Sequence, residues 1–186
     1  MKVLIIGFAK IKYMPYLNFY LEGLKADGVD LSVAYWNRDC KQEDLSAYPS
    51  VTFHAYNKKQ KDEVSKVSKI FNFIGFRRFV KKLIKKGDYD KIVVMHSLPA
   101  VLITKTLTKK YSGKYILDYR DYTYEGFGPF RKRLHALIRN SFVSFTSSDA
   151  YRKFFPSDSM DKVITSHNFL IDSLSHRDEK QKFGTT

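Results

Sequence analysis

Cysteine is nearly absent from the chain, which has only Cys40. One thiol cannot form an intrachain disulfide, a multi-cysteine zinc site or a CxxC redox pair, so the sequence predicts neither a metal nor a cofactor. Long apolar runs are absent too, since no stretch reaches the roughly 18 consecutive apolar residues of a membrane-spanning helix. The opening residues MKVLIIGFAKIKY contain no secretory leader. We therefore expect a cytoplasmic chain whose contact with a membrane is peripheral.

The glycine motifs of nucleotide-binding enzymes are also missing. Gly7 follows the first apolar run, but no further glycines follow it at the G-x-G-x-x-G spacing of a dinucleotide site. No G-x-x-x-x-G-K-[ST] run occurs, which argues against an ATP-driven P-loop enzyme. A turn at the end of a strand is the favoured interpretation of Gly7. Contact with a substrate is the alternative, and it keeps Gly7 among the candidate site residues.

Acidic residues are outnumbered, because 33 Lys and Arg stand against 19 Asp and Glu and give a formal net charge of +14. A charge of this size favours an anionic partner. Nucleic acid, anionic lipid headgroups and phosphorylated small molecules all meet that condition, so charge alone does not choose between them.

The chain does contain a regular alternation of short apolar runs and longer amphipathic segments, which is typical of a parallel sheet flanked by helices. The predicted strands are residues 2–6, 30–36, 51–56, 91–95, 114–118, 142–146 and 163–165. The predicted helices are one from Pro15 that Gly28 terminates, 63–86 with a kink or a break at Gly75, 98–111, 130–140 and 149–154. This order predicts a doubly wound, mainly parallel, Rossmann-like α/β domain over residues 1–169, followed by a linker or tail over residues 170–186.

Histidines follow two of the predicted strands. Ligands of open parallel sheets bind outside the carboxyl ends of the strands, and His96 stands at the end of the fourth strand. A neutral imidazole there can exchange hydrogen bonds with a sugar hydroxyl or a phosphate. His167 and Asn168 close the last strand and can line a cleft between domains. A capping role is the open alternative for all of them, and Ser97 is interpreted as the N-cap of the helix that follows His96.

The loop DYRDY after the fifth strand places Asp118, Arg120 and Asp121 close together. Two carboxylates and a guanidinium can orient sugar hydroxyls or a phosphate. A salt-bridge network that fixes the loop accounts for the same residues equally well. The aromatic, glycine-containing stretch that follows, residues 122–130, suits either a lid or lipid contact, or packing on the sheet.

A basic amphipathic helix is predicted within residues 63–86. Its cations, which we assign to contact with an anionic membrane, are Arg77, Arg78, Lys81, Lys82, Lys85 and Lys86. Phe71, Phe73, Phe76 and Phe79 are interleaved with them and are predicted to support the same contact. The alternative is a solvated outer face whose apolar stripe packs on the sheet. The crowding of cations into doublets favours the membrane.

The order of these segments resembles the N-terminal domain of GT-B glycosyltransferases, especially the family-4-like enzymes of bacterial capsular and surface polysaccharide synthesis. The stretches that carry the resemblance include KVLIIG, DKIVVMHSLPAVLITKTLTKKY, KYILDYRD, SFVSFTSSDAYRKFFP and KVITSHNF. The resemblance implies that this domain binds the acceptor, whereas a second, Rossmann-like domain binds the nucleotide-sugar donor. We expect that second domain to lie outside this chain, which would make it a truncated chain or one chain of a split enzyme, inactive alone.

Two functions from different classes follow from these observations. The leading hypothesis is transfer of a sugar from a nucleotide donor to a polyprenyl-diphosphate-linked acceptor at the inner membrane face. The rival is a non-enzymatic basic α/β domain that binds nucleic acid. No nucleic-acid recognition motif occurs in the sequence, so a nucleic-acid partner is not expected.

Overall fold

The computed structural model describes residues 1–25, 28–60 and 66–166, and within them seven parallel strands form one sheet. The order across the sheet is β3-β2-β1-β4-β5-β6-β7. The strands are β1 Lys2–Ile6, β2 Asp30–Asn37, β3 Val51–Asn57, β4 Lys91–Met95, β5 Tyr115–Tyr119, β6 Val143–Thr146 and β7 Val163–Thr165. The predicted doubly wound parallel sheet is therefore confirmed.

Helices cover both faces of this sheet. The α-helices are α1 Leu17–Lys25, α2 Lys66–Gly87, α3 Ser97–Leu102, α4 Thr104–Lys110 and α5 Gly128–Asn140. Short 3-10 helices occupy Ile11–Tyr13, Asp149–Phe154 and Ser157–Lys162, and the first and last of these lie in segments without a predicted element. Among the described residues, no helix is both long enough and apolar enough to cross a membrane.

The apolar core is divided by the sheet into two layers. Side chains alternate along β1, so that Leu4 and Ile6 join the core under α2 to α5 while Val3 and Ile5 join the core under α1. All four are buried. A strand buried on both faces explains why its sequence is an unbroken apolar run and not an alternating one.

Helix α2 is one continuous helix of 22 residues, so the predicted division into two helices at Gly75 is wrong, while the alternative prediction of a kink there stays a prediction. A Cβ atom on Gly75 would lie 2.1 Å from the hydroxyl oxygen of Tyr56. The missing side chain therefore allows α2 to approach β3 closely, and Phe76, the next residue, is buried in the core. Gly75 therefore allows close packing of the helix on the sheet and does not end the helix.

The helix predicted over residues 98–111 is instead two helices, α3 and α4, separated at Ile103. Ile103 has φ −116° and ψ 22°, outside helical geometry. The hydroxyl of Thr104 donates to the carbonyl oxygen of Val101 at 2.9 Å. Such side-chain bonds to a nearby carbonyl compete with the helical ladder, which accounts for the interruption.

Candidate functional site

The carboxyl edge of the sheet contains the point at which the strand order reverses, between β1 and β4. Ligands of doubly wound sheets bind in the crevice at this point. Gly7 follows β1, His96 follows β4 and Asp121 lies just beyond β5, so the topology brings three predicted site residues to this edge.

His96 connects β4 to α3 through an uncommon backbone conformation. Its φ of 75° lies in the positive region, which residues other than glycine seldom adopt. The backbone N–H of His96 donates to the carbonyl oxygen of Asp118 at 2.7 Å, which holds the turn against β5. Its side chain, 29% exposed, places Nδ1 3.6 Å from an oxygen of the Asp121 carboxylate. Strained conformations of this kind persist where the surrounding structure fixes them, and they are frequent at functional sites.

Burial sets the protonation state of this imidazole. It lowers the pKa of His96 below the ordinary value, and the carboxylates of Asp121 and Asp118 oppose that shift only in part. His96 is therefore mainly neutral near pH 7, and a neutral imidazole can accept a hydrogen bond or a proton from a hydroxyl group.

Asp118 and Arg120 form a buried ion pair beside this turn. The Arg120 Nε lies 2.6 Å from a carboxylate oxygen of Asp118, and the two side chains are 6% and 0% exposed. Burial raises the pKa of the Asp118 carboxyl, and the Arg120 guanidinium opposes that change. Burial and the nearby Asp118 carboxylate also raise the pKa of the Tyr20 hydroxyl. The pair thus carries charge into the core between β5 and α1.

The Arg120 guanidinium also connects three parts of the chain. It lies 4.5 Å from the ring centre of Tyr16, which precedes α1, and donates to the carbonyl oxygen of Ser166, just after β7, at 2.9 Å. The hydroxyl of Ser147 donates to the backbone carbonyl oxygen of Arg120 at 2.7 Å. These contacts fix the loops of the carboxyl edge relative to one another.

The two carboxylates of DYRDY lie in different surroundings. Asp118 is within β5 and, because side chains alternate, faces α1 like Ile116. The Asp121 side chain is 73% exposed beyond the strand. The geometry thus pairs Asp121 with His96 at the surface and Asp118 with Arg120 in the interior. Contact of Asp118 or Arg120 with a substrate stays a prediction.

Gly7 has a clear packing role. Its backbone N–H donates to the carbonyl oxygen of Ala34 at 2.8 Å. A Cβ atom at this position would lie 2.2 Å from the sulfur of Met14, so the thioether fills the space beside the glycine. Contact of Gly7 with a substrate stays a prediction, and so do the roles of His167 and Asn168, which lie outside the described residues.

Sequence reasoning missed Glu125, which is 0% exposed. Its carboxylate accepts a hydrogen bond from the backbone N–H of Thr123 at 2.6 Å and another from the hydroxyl of Ser97 at 3.4 Å. The predicted capping role of Ser97 is wrong, because the N-cap residue is His96 and the Ser97 hydroxyl turns to Glu125. An isolated acid within the aromatic stretch YTYEGFG is the pattern that could have revealed this contact.

The stretch after Asp121 divides its aromatic side chains between solvent and core. Tyr122, Tyr124 and Phe127 are exposed by 51%, 49% and 63%. Phe130, by contrast, lies on α5 and is buried. The edge beside His96 therefore presents aromatic surface that a sugar ring or an acyl chain can contact.

A second opening at the carboxyl edge lies between the loops that follow β1 and β2. It is a cleft of about 560 Å³ lined mainly by polar side chains, among them Lys10, Asn18, Glu43 and Tyr48. Lys10 forms an ion pair with Asp39 at 2.8 Å, and this contact raises the pKa of Lys10. This cleft was not predicted from the sequence, because its walls come from separate loops.

The cations predicted to contact a membrane, Arg77, Arg78, Lys81, Lys82, Lys85 and Lys86, are all exposed on α2. The predicted contribution of the four phenylalanines is wrong for three of them. Phe76 is buried, and Phe73 and Phe79 pack against the core, because helical spacing places them on the inner side of α2. The exposed apolar residues of α2 are instead Ile70 and Phe71, at 56% and 68%.

Comparison with known proteins identifies the fold. No family model and no curated protein matches the chain. Among solved structures, apo UGT2 from Phytolacca americana matches with a TM-score of 0.53 and 8% identity, over 94% of this chain and 54% of that one. MurG from Acinetobacter baumannii matches with a TM-score of 0.51 and 10% identity, over 91% of this chain and 46% of that one.

Both of these proteins are GT-B glycosyltransferases, so the predicted GT-B-like, Rossmann-like fold is supported. The chain spans about half the length of each, 54% and 46%. Identities of 8% and 10% are informative about fold alone, and the assignments to family 4 and to capsule synthesis stay predictions.

Proposed function

We propose that this chain is the acceptor-binding domain of a glycosyltransferase that moves a sugar from a nucleotide-sugar to a lipid-linked glycan acceptor in polysaccharide synthesis. The His96–Asp121 pair carries the proposal, because it stands at the point of strand-order reversal in a GT-B-like fold. A second domain outside the described residues would hold the donor.

The chemistry of the pair suits an acceptor hydroxyl. Neutral His96 can accept a hydrogen bond from that hydroxyl and take up its proton as the oxygen becomes nucleophilic. Asp121, 3.6 Å away, would stabilise the imidazolium that results. The buried pair of Asp118 and Arg120 would keep the loop in place, and the exposed Tyr122, Tyr124 and Phe127 would contact the sugar or the prenyl chain.

Binding of a water-soluble, short-prenyl diphosphate-linked saccharide tests this site directly. Saturation-transfer NMR with the chain should show contact with the saccharide. His96→Gln and Asp121→Asn should weaken the interaction, whereas Asp161→Asn, a matched change at an exposed carboxylate elsewhere, should not. Equal affinity in all three variants, or no saccharide contact in the wild type, would contradict the proposed site.

The same proposal places the chain at the cytoplasmic face of the inner membrane. The exposed cations of α2 can be attracted to anionic lipid, with about 1 kcal/mol for each basic residue near the surface. Ile70 and Phe71 can enter the interface beside them. At low salt the chain should sediment together with vesicles of phosphatidylcholine and phosphatidylglycerol. Charge reversal of Lys81, Lys82, Lys85 and Lys86 together should release it, and an unchanged affinity would contradict docking.

A further inference from the structure

A groove of about 540 Å³ lies on the outer side of the helical layer, between α2 and the α3–α4 pair. Cations from separate helices line it: Arg77 and Lys81 from α2, Lys105 from α4 and Arg133 from α5. All four residues are exposed. Sequence reasoning assigned only the α2 cations to membrane contact, so Lys105 and Arg133 add a second wall that the linear pattern did not show.

This groove contains no acidic side chain among the described residues that line it. Nor does any of its four cations form an ion pair within residues 1–25, 28–60 and 66–166. Cations held together on rigid helices without a nearby carboxylate produce a positive potential that attracts an anion. Two of them are arginines, whose planar guanidinium suits phosphate oxygens.

The floor of the groove is apolar. Ile74, Val101, Leu102 and Ile103 line it, and Val101 and Ile103 are nearly fully buried. The hydroxyl-bearing side chains of Thr104 and Thr106 complete the lining. A ligand that combines an anionic group with an apolar part fits this lining better than a small ion that is charged on all sides.

A second groove, of about 610 Å³, provides an internal comparison. It continues past Lys81 and Lys105 toward the amino ends of the strands, and Asp88 and Asp90 contribute to its lining. Acidic groups weaken the attraction for an anion. Six lysines also line the second groove, so the two grooves carry the same net positive charge. The first groove differs in having no carboxylate among the described residues of its lining and in containing two arginines, whose guanidinium groups suit phosphate oxygens.

We propose that the groove lined by Arg77, Lys81, Lys105 and Arg133 binds the phosphate of an anionic phospholipid headgroup. The proposal rests on the membrane docking proposed above. It adds that docking is selective for lipids with an anionic headgroup. The exposed Ile70 and Phe71 lie on α2, the same helix that forms one wall. A lipid that anchors its acyl chains beside them can present its phosphate to the cations while its glycerol lies on the apolar floor.

Charge reversal at the second wall tests the proposal. The variant Lys105→Glu with Arg133→Glu is compared with Lys41→Glu with Lys153→Glu, which makes the same change of net charge at exposed cations outside the groove. Binding to phosphatidylglycerol-containing vesicles should fall about thirtyfold further in the groove variant, because it loses two basic residues that are expected to contribute about 1 kcal/mol each near the surface. Equal losses in the two variants would overturn the groove while leaving docking intact.

A wild-type chain that fails to bind anionic vesicles would overturn docking and the groove together. Circular dichroism and chemical unfolding establish that the variants fold. If the charge-reversed groove variant does not, Lys105→Gln with Arg133→Gln is compared with Lys41→Gln with Lys153→Gln.

NMR titration with soluble ligands identifies the source of the phosphate. Dihexanoylphosphatidylglycerol below its micelle concentration should shift the backbone amides of Thr104, Lys105 and Thr106, and inorganic phosphate at the same concentration should shift them far less. Equal shifts with inorganic phosphate would overturn the assignment to a lipid. Stronger binding of a short DNA duplex than of anionic vesicles at equal salt would overturn it in favour of nucleic acid.

Discussion

The carboxyl edge of the sheet and the outer side of α2 both depend on charged residues, but they place them in opposite surroundings. At the edge, Asp118 and Arg120 are buried and paired with each other. On α2, cations such as Arg78 and Lys82 are exposed to solvent. A buried charge has lost its hydration and depends on its partner, whereas an exposed cation keeps its water and can serve a second molecule.

This difference separates stability from association. Substitutions at the edge should change the free energy of unfolding and the position of His96. Substitutions on the outer side of the helices should change binding to anions and leave folding nearly unaltered. The four predictions below test that separation, in order of decreasing effect.

Removal of the buried guanidinium should have the largest effect. Arg120→Met leaves the Asp118 carboxylate buried without its partner, which should lower the free energy of unfolding by about 3–5 kcal/mol in chemical denaturation. Arg78→Met, the same change on the exposed side of α2, should lower the free energy of unfolding by no more than about 0.5 kcal/mol. Similar losses in the two variants would remove the distinction between the regions.

The close approach of α2 to β3 predicts a smaller loss of stability on substitution of Gly75. Gly75→Ala should destabilise the fold by about 1–3 kcal/mol, because its Cβ would lie 2.1 Å from the Tyr56 hydroxyl oxygen. Adding Tyr56→Phe should recover part of the loss. Gly23→Ala is the matched control on α1, where no atom lies within 4 Å, and it should gain up to about 1 kcal/mol of helix propensity. Thermal and urea unfolding of the three variants and the wild type measures each change.

The electrostatic surroundings of His96 predict a pH effect. Since burial lowers its pKa, the unfolded chain binds a proton more readily than the folded one, and stability should fall as the pH drops below about 6.5. His96→Gln should lose less stability over that range. In NMR titrations Asp121→Asn should lower the pKa of His96 further, because the carboxylate raises it. An increase in that variant would show that the two side chains do not interact as described.

The smallest effect on folding is expected for the outer cations. Lys82→Glu should change the free energy of unfolding by no more than about 0.5 kcal/mol, since the residue is exposed on α2. The same substitution should weaken binding to anionic vesicles. A large loss of stability with unchanged vesicle binding would reverse the roles assigned to the two regions.

The strands could be predicted from the sequence because each strand is a short run rich in apolar residues, which is visible without knowledge of the fold. The bounds of β1, β4 and β7 match the predictions, and those of the other strands differ by one residue. Both errors in the helices came from single contacts that the local pattern does not contain. Tyr56 meets α2 at Gly75, and the Thr104 hydroxyl bonds back to Val101.

The candidate site was only partly predictable for a related reason. The rule for strand ends placed His96 and Asp121 at the carboxyl edge. The same rule could not separate Asp118 from Asp121, because it gives the edge of the sheet and not the side to which a side chain points: Asp118, at the end of the predicted strand, is buried, whereas Asp121 is exposed beyond β5. Glu125 was missed because its contact with Ser97 joins residues 28 positions apart.

At position 96 the backbone conformation favours glycine, whereas the proposed binding of an acceptor requires an imidazole. A positive φ of 75° favours glycine, and a residue with a side chain pays about 1–3 kcal/mol to adopt it. Since ψ is 152°, this conformation is essentially confined to glycine, and a library at position 96 selected for thermal resistance alone would be enriched in glycine, whereas selection for acceptor binding would retain histidine. The residue recovered under each selection would therefore measure how much stability this protein gives up for its imidazole.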